Sequence, residues 1–194
     1  MPFPTIEIAL PAWIDLLAPD ANRTYTSIGE RMDLVIGLAR KNVAEGTGGP
    51  FGAGIFEMAS GRLVAPGVNL VIPGNCSVAH AEIVAIMVAQ RIMETFDLGA
   101  AGLPPLELVC STEPCAMCLG AVVWSGVRRV VCGARDGDAR AIGFDEGPKP
   151  DDWTVALNDR GITVRRDVSR QAAMDVLKDY VNGGGLIYNA RQAG

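Results

Sequence analysis

The sequence has one histidine in 194 residues and no long run of basic residues. It carries 17 Lys and Arg against 22 Asp and Glu, for a net charge of −5. The basic pairs Arg128-Arg129 and Arg165-Arg166 stand alone. Long polyanions bind to clustered positive charge, so we expect no long nucleic acid among the partners. Uncharged apolar stretches fall short of the ~20 residues of a membrane span, so we expect no membrane partner either.

Cysteine is present in an odd number. The five cysteines have no regular framework spacing, which indicates a reducing compartment where some of them remain thiols or metal ligands. The apolar N-terminus lacks a basic region and is interrupted by Pro4 and Pro11, so it does not resemble a secretory signal. Both observations favour a cytoplasmic protein.

Predicted strands and helices alternate along the chain. Apolar residues at helical spacing predict helices over about 27–44 and in AHAEIVAIMVAQRIME, with two strands between them. The strands LELVC and RRVVCGA flank a third helix that opens with PCAMC. This order predicts a three-layer α/β/α sandwich with a partly parallel sheet.

The termini and the second half give weaker predictions. Residues 1–26 form a predicted extension that packs on the domain of residues 27–194, because apolar residues such as Ile6, Trp13 and Leu16 need burial. We predict a loop over 136–150, a helix over 170–181 capped by Ser169, and an edge strand in GLIYNA.

Two short motifs supply residues that bind metals. His80 lies in HAE, while Cys115 and Cys118 lie in PCAMC at the start of the third predicted helix. Three such ligands leave the fourth position of a tetrahedral zinc for water, which is the catalytic arrangement. Glu82, two residues after His80, can accept a proton. Taken singly, the cysteines also fit a redox pair or core packing, and the histidine or glutamate an ordinary polar residue.

Together the motifs match H-x-E…P-C-x-x-C, the signature of zinc nucleobase deaminases. From about residue 27 onward the sequence resembles the cytidine/deoxycytidylate deaminase superfamily. Within it, GGPFGAGIF, GVNLV, AHAE and EPCAMCLGA resemble bacterial guanine deaminases and tRNA adenosine deaminases, and AIGFDEGP resembles the guanine deaminases, some of which also deaminate ammeline. The resemblance implies a cytidine deaminase-type sandwich with a mixed five-stranded sheet. It also implies zinc-dependent hydrolysis of a purine or triazine base, guanine giving xanthine and ammonia.

The resemblance also implies roles for individual residues. Glu82 would be the catalytic acid and base, and a second acidic residue, Glu146 or Asp145, would contact the base. Further substrate contacts would come from side chains or backbone groups of Asn69, Phe51, Ala81, Cys115 and Trp124. Simple packing is the alternative for Phe51 and Trp124, and a solvated loop is the alternative for the two acids.

Other functions stay open at this point. A nucleoside or tRNA adenosine deaminase shares the motifs, although the helix over 170–181 balances Arg170 and Lys178 with Asp175 and Asp179. A non-catalytic zinc module would have no use for Glu82. The resemblance further implies a homodimer, and the three glycines of GGGLIYNARQAG fit either the hinge of an exchanged segment or a flexible tail.

Overall fold

The computed structural model describes residues 3–17 and 23–190. Its five strands form one mixed sheet in the order β2-β1-β3-β4-β5. β1 is antiparallel to β2 and β3, whereas β3, β4 and β5 run parallel. The predicted fold class is therefore confirmed. The strands are β1 Gly52–Glu57, β2 Leu63–Val68, β3 Leu106–Thr112, β4 Arg129–Ala134 and β5 Thr163–Arg165.

Helices cover both faces of the sheet and bury its apolar side chains. α2, α5 and α7 pack on one face, and α3, α4 and α6 contribute to the core on the other. None of the helices in the described ranges is long and apolar enough to cross a membrane. The helices are α1 Ile14–Leu17, α2 Ile28–Ala44, α3 Ala81–Ile92, α4 Ala116–Ser125, α5 Asp136–Ala141, α6 Trp153–Asn158 and α7 Arg170–Asn182.

The close approach of α3 to β2 fixes the start of α3. A Cβ atom at Gly67 would lie 2.2 Å from the carbonyl oxygen of Ala81 and 2.6 Å from the backbone nitrogen of Ala85. Only glycine leaves room for this contact, since real Cβ atoms do not approach that closely. The strand therefore sets the position of His80, the N-cap residue of α3.

The N-terminal segment buries only part of its apolar surface. Trp13 and Ile14 join a core cluster with Leu38, and the Trp13 indole N–H donates to Thr47 Oγ1 at 3.0 Å. In contrast, the expected burial of Ile6 and Leu16 is wrong, because they are 86% and 77% exposed. Within the predicted units 1–26 and 27–194, residues 1–2, 18–22 and 191–194 lie outside the described residues.

Three local predictions are corrected by the structure. The predicted loop 136–150 contains α5. Residues 185–190 form no strand: the Tyr180 hydroxyl donates to the Leu186 carbonyl oxygen at 2.7 Å, and the Asn189 side chain bonds to the backbone of Gly143 and Asp145. Ser169 occupies the N-cap position of α7, but its side chain makes no cap hydrogen bond because its backbone is left-handed, with φ of 49°.

Candidate metal and catalytic site

The three predicted metal ligands meet at the N-termini of two helices. His80 is the N-cap of α3, Cys115 is the N-cap of α4, and Cys118 lies in the first turn of α4. His80 Nδ1 is 3.5 Å from Cys115 Sγ and 3.6 Å from Cys118 Sγ, and the three atoms form a candidate metal cluster.

This geometry and donor chemistry fit zinc. With Zn–S of about 2.3 Å and Zn–N of about 2.0–2.1 Å, nitrogen and sulfur ligands of a tetrahedral zinc lie about 3.6 Å apart. One imidazole and two thiols are a zinc donor set, and three protein ligands leave one position for a non-protein ligand. These three residues are therefore positioned to hold a zinc ion in an open arrangement.

The surroundings of the cluster favour a thiolate. A hydrogen bond from the neighbouring Cys118 thiol, together with His80, lowers the pKa of Cys115 to about 4. The backbone N–H of Cys118 also donates to Cys115 Sγ, at 3.5 Å. Helix N-termini favour negative charge in the same way. Cys115 is therefore a thiolate at neutral pH, the form that binds a divalent cation.

Glu82 lies in the first turn of α3 beside the cluster. It is 7% exposed and lines a pocket together with His80 and Cys115. Burial raises the pKa of Glu82 to about 7. A carboxyl group that titrates near neutral pH can both accept and return a proton.

The loop after α5 brings a second carboxyl group into the pocket. Glu146 is 7% exposed, and burial raises its pKa to about 8. Its backbone carbonyl oxygen accepts a hydrogen bond from the N–H of Ala116 at 2.9 Å. Asp145 also reaches the pocket, but its side chain is 63% exposed and accepts from the Gly147 N–H at 2.9 Å. The two acids thus occupy different environments, one buried and one at the rim.

Aromatic rings form the wall opposite the cluster. Phe51 packs edge-on against Phe144, with ring centroids 5.0 Å apart, and Phe144 contacts Tyr188 at 5.3 Å. Such a wall suits a flat heteroaromatic ring. The complete pocket lining is Phe51, His80, Glu82, Glu113, Cys115, Phe144, Asp145, Glu146 and Tyr188.

Two buried polar atoms beside the pocket have no hydrogen-bond partner among the described residues. They are the Asn69 Nδ2 and the Tyr188 hydroxyl oxygen. Asn69 Oδ1 is held by the Val71 N–H at 3.2 Å, so its amide orientation is set. Native proteins rarely leave buried polar groups unpaired, and such groups are therefore candidates for ligand contacts.

Tyr188 was missed by the sequence analysis, which treated its segment as a strand, hinge or tail. A Cβ atom at Gly49 would lie 2.9 Å from the Tyr188 hydroxyl and 3.2 Å from Asn69 Oδ1, so the glycine leaves room for both side chains. An aromatic residue shortly after three glycines is the only sequence signal for this placement, and it is weak.

The remaining predicted site residues occupy different places. Ala81 is fully buried as the first residue of α3, where helix N–H groups have no intrahelical acceptor. Trp124 does not line the pocket, which corrects the prediction, because its side chain is 86% exposed. α4 turns Cys118, Val122 and Ser125 inward. Trp124 follows Val122 by two positions and therefore lies on the outer face.

Comparison with known proteins agrees with this site. The family model of the cytidine and deoxycytidylate deaminase zinc-binding region matches residues 26–134. A guanine deaminase of Bacillus subtilis (strain 168) is 42% identical over 109 residues, which are 56% of this chain and 65% of the relative, so the match spans slightly less than two thirds of that enzyme.

Solved structures extend the likeness to nearly the whole chain. One of guanine deaminase from Nitrosomonas europaea is 49% identical with a TM-score of 0.87, covering 91% of this chain and 96% of the other. A structure of the protein NE0047 in complex with 2,6-diaminopurine is 49% identical with a TM-score of 0.90, covering 97% and 98% of the two chains.

Proposed function

This chain belongs to the cytidine and deoxycytidylate deaminase family, and we propose that it is a zinc-dependent guanine deaminase. It would hydrolyse guanine with water to xanthine and ammonia. One observation carries the proposal: His80 and Cys115, two of the three proposed zinc ligands, line a pocket with two buried carboxyl groups, Glu82 and Glu146. The relatives named as guanine deaminases, and the purine analogue bound in one solved structure, support the choice of substrate.

The metal is held by His80, Cys115 and Cys118. When bound, zinc supplies Lewis-acid activation of water, lowering the pKa of that water towards neutrality. The ordered helix N-termini around the ligands keep this part of the pocket fixed, so the protein does not reorganise during the reaction.

Glu82 moves the protons. It accepts a proton from the attacking water and delivers it to the ring nitrogen next to C2 of guanine. Glu82 then takes the remaining proton from the C2 hydroxyl and gives it to the amino group, so that the C–N bond breaks, ammonia leaves and the C2 carbonyl of xanthine forms. The pKa near 7 that burial gives Glu82 suits a group that must gain and lose a proton at each turnover.

The base is recognised by the wall and by the unpaired polar groups. Phe51 and Phe144 would flank the ring, and the Asn69 amide would donate to a ring acceptor. Guanine also presents donors at N1–H and the amino group, which need an acceptor. Glu146 fits this role, and its raised pKa lets it carry a proton during ammonia release.

We also propose that the enzyme is a cytoplasmic homodimer. None of the five cysteines, all of which lie in the described residues, forms a disulfide, as expected in a reducing compartment. Apolar residues remain exposed on and after α3 and on α4: Met87, Ile92, Phe96 and Trp124. A surface of this kind commonly marks an interface. Light scattering should show twice the monomer mass for the wild type and a reduced mass for Trp124→Glu.

A substrate panel tests the proposed activity. Purified protein is incubated with guanine, ammeline, guanosine, cytidine and an adenosine-containing tRNA anticodon stem, and ammonia is measured. We expect guanine to be hydrolysed and the RNA to remain unchanged, because the chain is acidic. Conversion of RNA adenosine with guanine untouched would assign the chain to a different activity within the same family.

A further inference from the structure

We propose that Lys149 is a positioning residue that holds the loop of Glu146 against the turn of Cys115. The inference deepens the proposed function and rests on it, because it assumes that Glu146 serves the reaction. Lys149 follows Glu146 by three residues and does not line the pocket. Its effect on the reaction would therefore pass through its neighbours.

The ammonium group of Lys149 is buried in a set of fixed contacts. Its side chain is 6% exposed, and Nζ donates to the carbonyl oxygen of Pro114 at 3.0 Å. Nζ also lies 3.1 Å from Asp136 Oδ1 and 3.6 Å from Glu113 Oε2. Burying a charge is costly unless it is paired and hydrogen-bonded, and these contacts meet that condition.

The partners of Lys149 are themselves anchored. The backbone N–H of Asp136 donates to Glu113 Oε2 at 3.1 Å, and Arg166 Nε donates to Glu113 Oε1 at 2.5 Å. Glu113 is buried and immediately precedes Pro114 and Cys115. The ammonium group thus binds to a rigid support that is continuous with a metal ligand.

Two hydrogen bonds join the loop to this turn, one on each side of Cys115. Ala116 N–H donates to the Glu146 carbonyl oxygen, and Lys149 Nζ donates to the Pro114 carbonyl oxygen. With both in place, the segment 146–149 is held at its two ends. Without Lys149, the bond between Ala116 N–H and the Glu146 carbonyl oxygen is left to join this segment to the turn, while Arg140 still donates to the Gly147 carbonyl oxygen at 2.7 Å. The Glu146 carboxyl group is then held less firmly relative to the metal ligands.

The rate of a reaction depends on the position of the catalytic group, and a displacement of about 1 Å already lowers it strongly. We therefore expect Lys149→Met, which keeps the length and removes the charge and donor, to lower kcat for guanine about tenfold. KM should change much less, and zinc content should stay near one per chain. The matched control is Arg170→Met, which removes a cation from a separate ion pair, with Asp138. Its kcat should remain near that of the wild type.

A double-mutant cycle with Glu146→Gln separates positioning from general stability. If Lys149 acts through Glu146, Lys149→Met should have almost no further effect on kcat in the Glu146→Gln background. An equal tenfold loss in both backgrounds, or wild-type kcat in Lys149→Met alone, would overturn the proposal. A Glu146→Gln enzyme with wild-type rates would instead refute the role of Glu146 in the proposed function.

The same cycle can be run with a milder change if Lys149→Met does not fold. Lys149→Arg keeps the charge but places a larger group in a buried site, and so displaces the loop. Its loss of kcat should likewise disappear in the Glu146→Gln background. A loss that persists there would contradict positioning through Glu146.

Discussion

The N–H of Ala116 donates to the carbonyl oxygen of Glu146 at 2.9 Å. This bond joins the first residue of α4, next to the proposed zinc ligand Cys115, to a loop residue 30 positions further along the chain. It brings a buried carboxyl group to the side of the pocket that the HAE and PCAMC motifs do not supply. The site therefore depends on three chain segments: the HAE motif, the PCAMC motif and the loop of Glu146. Residues from these segments can be tested separately.

The zinc ligands should contribute to folding as well as to chemistry. Cys118→Ala or His80→Ala removes one of three protein ligands, so we expect zinc to be lost and the thermal midpoint to fall, because metal affinity is partly folding free energy. Elemental analysis and calorimetry measure the two effects. Cys76→Ala is the matched control, since Cys76 is partly exposed and lies outside the metal cluster. Full zinc content in Cys118→Ala would exclude that residue as a ligand.

The two acids of the 143–147 loop can be tested separately. Glu146→Gln keeps the size and removes the group that can gain and lose a proton, and should lower kcat/KM for guanine at least tenfold, or about 1.4 kcal/mol of transition-state stabilisation. Asp145→Asn should have a smaller effect, because the Asp145 side chain is mostly exposed. Steady-state kinetics on zinc-loaded enzymes decide between them. A larger loss of kcat/KM in Asp145→Asn than in Glu146→Gln would assign the contact with the base to Asp145.

Tyr188 should bind the substrate through its hydroxyl group. Tyr188→Phe keeps the ring contact with Phe144 and removes an oxygen that has no partner among the described residues. We expect kcat/KM for guanine to fall about fivefold, because a typical hydrogen bond is worth about 1 kcal/mol. The thermal midpoint should change little. A variant with wild-type kinetics would restrict Tyr188 to packing.

The sequence allowed prediction of the sheet and of the chemistry carried by local motifs. The alternation of periodic segments predicted the strands and helices. PCAMC predicted a pair of ligands because Cys115 and Cys118 lie at i and i+3 on one helix face, and HAE supplied the single histidine of the sequence.

Features that depend on distant parts of the chain were not predictable. The segment after Gly185 is bonded through Asn189 to the loop of Gly143 and Asp145, and its Tyr188 lines the pocket. The hydrogen bond from Lys149 Nζ to the Pro114 carbonyl oxygen joins residues 35 positions apart, and no local pattern in the sequence indicates it. Trp124 was assigned to the pocket because it follows the motif, yet its angular position on α4 turns it outward. These outcomes are set by tertiary packing, which periodicity does not encode.

The most direct test of the account is ammonia release from guanine by the wild type and by Glu82→Gln. Glutamine keeps the size of the buried side chain but cannot accept or return a proton, so zinc should stay bound and the protein should stay folded. General acid–base groups are worth roughly 10²–10⁴-fold, and Glu82 serves several steps, so kcat should fall by about 10⁴-fold or more. Guanine turnover at the wild-type rate in a zinc-loaded Glu82→Gln enzyme would contradict the mechanism.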